Sequence, residues 1–186
     1  TQLHGDGIFV DNNETTHGGG HYVANNVIVG GYDGIGGESN FEIQGSYYKN
    51  STIEKNFIYD CWDDGIEVEG GDENVIVREN YIENCALGIA FTENITGPLY
   101  IERNVIRDLR PDCALGSQQC FKFGNKVDPI LRGYYSVGVT YLNDNLCVAD
   151  GQGFSQNNHE QGMTPLITDG NCVQVTGYSI QTYNPN

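Results

Sequence analysis

The chain is short of cations. Nine lysines and arginines stand against 25 aspartates and glutamates, giving a formal charge of −16 and a pI near 4.3. Such a field repels phosphate backbones and anionic lipid, so no nucleic acid and no membrane surface is expected as a partner. It also opposes unaided binding of polyuronates such as pectate or alginate, which would need calcium or a local basic groove. Methionine and tryptophan occur once each. No apolar run approaches the ~20 residues that span a bilayer, so no membrane insertion is expected. No secretory leader is evident either: Thr1-Gln2-Leu3-His4 runs straight into patterned sequence, as in a mature chain or a segment of a longer one.

Glycine is plentiful, at 25 of 186 residues, and asparagine recurs in one short phrase. VREN-YIEN around Asn80 returns as IERN-VIRD around Asn104, a step of 24 residues. The phrase also appears as VANN-VIV, IEKN-FIYD, LNDN-LCV and, degraded, TDGN-CV, anchored on Asn26, Asn56, Asn145 and Asn171. A recurring step of this size is the signature of a solenoid, with excursions inserted where the step lengthens. A second column precedes the first in Gly7-Ile8, Gly34-Ile35, Gly65-Ile66 and Gly88-Ile89, with Phe121-Lys122-Phe123 as its continuation.

Three places before the anchors stand Val23, Ile53, Val77, Ile101 and Leu142; two places after stand Ile28, Ile58, Ile82, Ile106 and Cys147. Apolar residues at fixed places in short β-prone runs are alternating strands, and stacked rungs bury a core that no single rung could. Asparagine suits the bend because it tolerates left-handed backbone angles and its carboxamide can bond the next copy. Outward columns alternate in sign, as in Glu54, Arg78, Glu102 and in Lys55, Glu79, Arg103, which favours stacked pairing over a helix. The expectation is one all-β domain over 1–186, a parallel β-helix of about six to seven rungs with loop excursions.

Six cysteines point to an oxidising compartment. Cys61 and Cys85 share a column on neighbouring rungs, which suggests a bridge; Cys113 and Cys120 bracket a short loop, leaving Cys147 with Cys172. The alternative is that some are buried thiols, since Cys147 sits in a core column. Sequons at Asn13, Asn50 and Asn94 fall in excursions or corners, and with the cysteines favour secretion and glycosylation. In His17-Gly-Gly-Gly-His21 the glycines deny a helix, so a surface loop is expected rather than a metal site.

WDDGIEVEG, NVIVRENYIENC, GPLYIERN and FKFGN resemble the right-handed parallel β-helix repeat proteins of the pectate-lyase-like superfamily, over roughly residues 5–150. The resemblance implies a right-handed, single-stranded parallel β-helix. It does not choose an activity, because the superfamily includes polysaccharide lyases, glycoside hydrolases, epimerases, phage tailspikes and many secreted proteins of no assigned activity. WDDGIE is also similar to the Asp-Asp motif of polygalacturonase-like hydrolases, which would give Asp63 and Asp64 acid and base roles. Leu87-Gly88-Ile89 stands where that group has Gly-His-Gly, however, and no Arg-Ile-Lys clamp follows. A lyase would need a lysine or arginine base beside the acidic cluster, and the sequence shows none there.

The candidate site is therefore Asp63, Asp64 and Glu67, with Glu69 beside them and Trp62, Tyr47 and Tyr48 as a stacking platform for sugar rings. Carboxylates one or two rungs apart would lie ~5 or ~10 Å from each other, which brackets the needs of glycosidases. Asp6, Asp33 and Asp64 form a column that a calcium ion could supplement, although no cofactor is required. As a plain turn ladder, the same column has Asp capping the bend, Gly making it and Ile entering the core.

Two functions are expected from this. The first is an extracellular structural β-solenoid that stacks end to end into a fibre or layer, since no amphipathic capping helix is evident. The second is a polysaccharide-active enzyme, hydrolase or lyase, or a carbohydrate-binding module.

Overall fold

A computed structural model describes residues 5–10, 19–37, 45–92, 94, 96–111, 118–124, 138–156, 166–177 and 180–181. Among them are 19 strands and no helix. All strand pairs are parallel, in three sheets of seven, six and six strands. The first sheet holds β1 (Ile8–Val10), β4 (Ile35–Gly37), β7 (Asp64–Glu67), β10 (Leu87–Thr92), β13 (Gln119–Gly124), β16 (Gln152–Gln156) and β19 (Ile180–Gln181). Each rung visits the three sheets in turn, so the chain completes six rungs and begins a seventh.

The expected columns are in register. Ile53, Val77, Ile101 and Leu142 pair along the second sheet, and Ile58, Ile82, Ile106 and Cys147 along the third. Ile8, Ile35, Ile66, Ile89, Phe121 and Phe154 align along the first. These columns form the core, where each fully buried aliphatic side chain contributes about 1.5–3 kcal/mol.

The asparagine ladder is continuous. The backbone N–H and Nδ2 of Asn56 both donate to Oδ1 of Asn80, at 3.1 and 2.9 Å, while Nδ2 also donates to the carbonyl of Val23 at 3.0 Å. The same pattern runs through Asn80, Asn104 and Asn145 to Asn171. The left-handed backbone expected at these asparagines falls one place earlier, on Asn25, Lys55, Glu79, Arg103 and Asp144. The anchors turn inward and spend their carboxamides on the ladder; the strained corner is left to outward residues. Three of the outward charges pair across rungs there, Lys55 with Glu79 at 3.9 Å and Arg103 with Glu79 at 3.4 Å.

The expected disulfides are corrected. Cys120 is bonded to Cys147, which rules out both the Cys113–Cys120 and Cys147–Cys172 pairings. Cys172 is a free, exposed thiol, and Cys113 lies outside the described residues. The columns supply the reason. In other rungs a glycine of the first sheet packs against an isoleucine of the third, as Gly65 does with Ile82 and Gly88 with Ile106. Cys120 takes the glycine place and Cys147 the isoleucine place of one rung, so their sulfurs meet across the core with Cα atoms 6.1 Å apart.

Cys61 and Cys85 do stack, but as buried thiols in hydrogen-bond contact. That hydrogen bond, then burial, pushes the Cys61 thiol up. Parallel side chains in one column keep the ~4.8 Å strand spacing, wider than the ~3.8 Å between Cβ atoms that a disulfide prefers.

Candidate functional site

Sheet corners place the acidic residues. The turn from the third sheet back to the first is short, so Asp33, Asp63 and Asp64 arrive together at the start of the first-sheet strands. Their ligand oxygens lie within 4.8 Å of one another. The turn ladder is present as well: Asp6 Oδ1 accepts the Asp33 N–H at 3.2 Å, and Asp33 Oδ1 accepts the Asp64 N–H at 2.9 Å. Asp6 stands outside the three-aspartate group, so only Asp33 and Asp64 of the expected calcium column belong to it.

The cluster contains a cation that the sequence reading missed. Lys122 Nζ lies 2.8 Å from Asp64 Oδ2 and 3.5 Å from Glu69 Oε1. Register explains the approach. Glu67, Ala90 and Lys122 occupy one column on β7, β10 and β13. The small Ala90 between them lets the lysine stem lean back over a rung to the carboxylates. The signal was available: once Phe121 is aligned with Ile66, the next residue, Lys122, falls in the column of Glu67. Asp33, Asp63 and Asp64 could hold calcium, which takes six to eight oxygens, but one oxygen of Asp64 is spent on Lys122 and one of Asp33 on a backbone N–H. The nearest counter-charge is the chain's own ammonium.

Burial sets the protonation. It raises Glu67 to about 9, helped by the charges of Asp64 and Asp33. It raises Asp33 to about 8, with Asp64 adding to the shift. Asp64 is only 1% exposed and is pushed by burial to about 7, with Lys122 opposing the rise. Burial alone would lower Lys122, but Asp64 and Glu69 hold it above its ordinary value. Asp63 Oδ1 and Asp64 Oδ1 have no hydrogen-bond partner among the described residues. The Tyr32 hydroxyl, raised by burial and then by the Asp63 charge, is hydrogen-bonded to Asp63. At neutral pH the site thus combines a neutral Glu67 carboxyl, an Asp64 carboxyl near its midpoint and a fixed ammonium.

The expected aromatic platform is present only in part. Tyr47 is buried, and its hydroxyl donates to the Gly36 carbonyl at 3.1 Å, so it is a core residue. Trp62 is half-buried beneath the Arg110 guanidinium, 5.1 Å from its ring centroid. Tyr48 is half-buried with Lys49 Nζ 5.6 Å from its ring. Of the sequons, Asn50 is exposed, but Asn94 is 0% exposed and its Nδ2 donates to Thr140 at 2.9 Å. That engagement corrects Asn94 as a glycan acceptor. Asn13, His17 and Gly18 lie outside the described residues.

A family model described as the right-handed β-helix region matches residues 1–184. Searches of curated proteins and of solved structures each find no match. With the match spanning almost the entire chain and three parallel sheets formed by its rungs, the chain belongs to the right-handed β-helix family.

Proposed function

We propose that this chain is a carbohydrate-active enzyme that hydrolyses a glycosidic bond in an uncharged polysaccharide. The observation that carries this reading is the buried group of Asp63, Asp64 and Glu67 with Lys122 Nζ 2.8 Å from Asp64 Oδ2, in which burial raises Glu67 to about 9 and Asp64 to about 7. Glycosidases need one carboxyl kept protonated and another ionised, and burial with unequal charge neighbours separates the two. Glu67 is the general acid that protonates the leaving oxygen. Asp63, held by Tyr32, is the carboxylate that acts at the anomeric carbon or on its water. Asp64 and Lys122 position the cluster and limit its total negative charge. The net charge of −16 favours neutral over anionic glycans.

The disulfide between Cys120 and Cys147 and the exposed sequon at Asn50 support an extracellular location. A second reading is self-association of a structural solenoid. It is favoured by the exposed Tyr22, Val27 and Val29 on the first rung, and sedimentation of concentrated protein measures it.

The test of the enzyme reading is incubation with xylan, glucan, mannan and galactan, following reducing ends. Release from one of them is expected. Binding without release would make this a carbohydrate-binding module, and neither would contradict a role in glycan chemistry.

A further inference from the structure

Beside the acidic cluster lies an open cleft of about 480 Å³, lined by Gly5, Asp6, Phe9 and Tyr32. That volume is within the usual range for small-ligand sites. None of these residues figured in the expected sugar platform, although Asp6 stood in the expected calcium column. Phe9 pairs with Gly36 on the next rung. One residue beyond the Ile35–Ile66 pair, the same column reaches Glu67. Phe9 is 50% exposed, so its ring faces outward at the end of a column that leads to the proposed acid.

The floor between them has no side chain. A Cβ added at Gly36 would lie 2.8 Å from Asp6 Oδ2, so hydrogen at this position lets the Asp6 carboxylate lie over the strand. Two cleft residues connect directly to the cluster. Asp6 accepts the Asp33 N–H, and the Tyr32 hydroxyl bonds Asp63. The cleft therefore offers an apolar ring face, a phenol and a carboxylate, with no lysine or arginine among the described residues of its lining. A sugar ring has matching chemistry: C–H groups for the aromatic face and hydroxyl donors for a carboxylate. An anionic sugar would meet Asp6 unpaired.

We propose that this cleft is a subsite for one uncharged sugar residue, stacked on Phe9 and hydrogen-bonded to Asp6 and Tyr32, which sets the adjoining linkage over Asp63 and Glu67. The proposal rests on the glycosidase reading for its second half only; the subsite itself is a binding site.

Calorimetry with xylo-, cello-, manno- and galactopentaose separates the two. The Glu67→Gln protein should bind one of these probes, and adding Phe9→Ala should weaken that binding about tenfold. In the wild-type background, Phe9→Ala should raise KM by a similar factor with kcat nearly unchanged, and Tyr32→Phe should weaken binding less. Affinity unchanged by Phe9→Ala would overturn the subsite while leaving any observed turnover to the cluster. Phe9-dependent binding without wild-type turnover would keep the subsite and overturn the hydrolase. Binding of none of the probes, or only of a cationic chitosan oligomer, would overturn the assignment to an uncharged sugar.

Discussion

The Lys122 ammonium lies 2.8 Å from Asp64 Oδ2, a residue 58 positions earlier in the chain and two rungs away in the fold. The contact joins strands β7 and β13 across β10, where Ala90 leaves room. Removing the ammonium would leave Asp64 and Glu69 buried with no matching cation among the described residues.

Lys122→Met should therefore destabilise the fold by about 3 kcal/mol, the cost of stranding one partner of a buried pair. Pairing it with Asp64→Asn should recover much of the loss, since the stranded charge is removed too. Denaturant titration of the single and double variants checks this; a double variant no more stable than Lys122→Met contradicts it.

The pH dependence follows from raised carboxyls. Asp64, Asp33 and Glu67 titrate near about 7, 8 and 9 in the folded chain. In the unfolded chain they return to ordinary values near ~4. Between those limits the folded state holds more protons, so stability falls as pH rises from about 4 through 9. Melting temperature should be higher at pH 5 than at pH 9, with Glu67→Gln flattening the slope. Activity should fall through about 9 as the Glu67 acid ionises.

The Cys120–Cys147 bridge closes a loop with a sequence separation of 27. Loop-closure entropy for that length is about 3.5 kcal/mol, so Cys120→Ser with Cys147→Ser should lower stability by a similar amount. Cys61→Ala should leave the bridge intact. Thiol titration with and without denaturant, followed by peptide mapping, distinguishes this pairing from one through Cys61 and Cys85.

Asn80→Ala removes four ladder hydrogen bonds and leaves the Ile53 carbonyl and the Asn56 backbone N–H without those partners, while Asn56 Nδ2 keeps only the Val23 carbonyl and Asn104 Oδ1 only the backbone N–H of residue 80. A loss of about 3–5 kcal/mol is expected from these buried groups. Asn26→Ala, at the first rung, should cost less because it removes two side-chain hydrogen bonds, from Nδ2 to Asn56 Oδ1 and to the Ala24 carbonyl, and strands no donor of an earlier copy among the described residues. Equal costs at both positions would argue against a cooperative ladder.

The repeat made the fold legible, because stacking forces equivalent residues of each rung into one column. The anchors Asn56 to Asn145 and their flanking isoleucines could thus be placed without coordinates. The disulfide was present in the same columns, where Cys120 replaces a glycine and Cys147 an isoleucine, but it emerges only when two columns are read across one rung. Asp63, Asp64 and Glu67 were legible as a group because they lie within one strand and its approach. Lys122 was not, since its role depends on register through the intervening Ala90. Tyr47 and Asn94 were misplaced because an aromatic doublet and a sequon say nothing about which face of the chain is buried. Phe9 and Tyr32 became visible only when the cleft could be seen beside the cluster.

The central claim is that Glu67 is the acid of a glycan-cleaving site. The direct measurement is kcat and KM of Glu67→Gln beside wild type on the polysaccharide that wild type cleaves, with melting curves confirming the fold. A general acid contributes about 10²–10⁴ in rate, so kcat should fall by at least ~100-fold with KM changed only a few-fold. Turnover within a factor of a few of wild type would contradict the account.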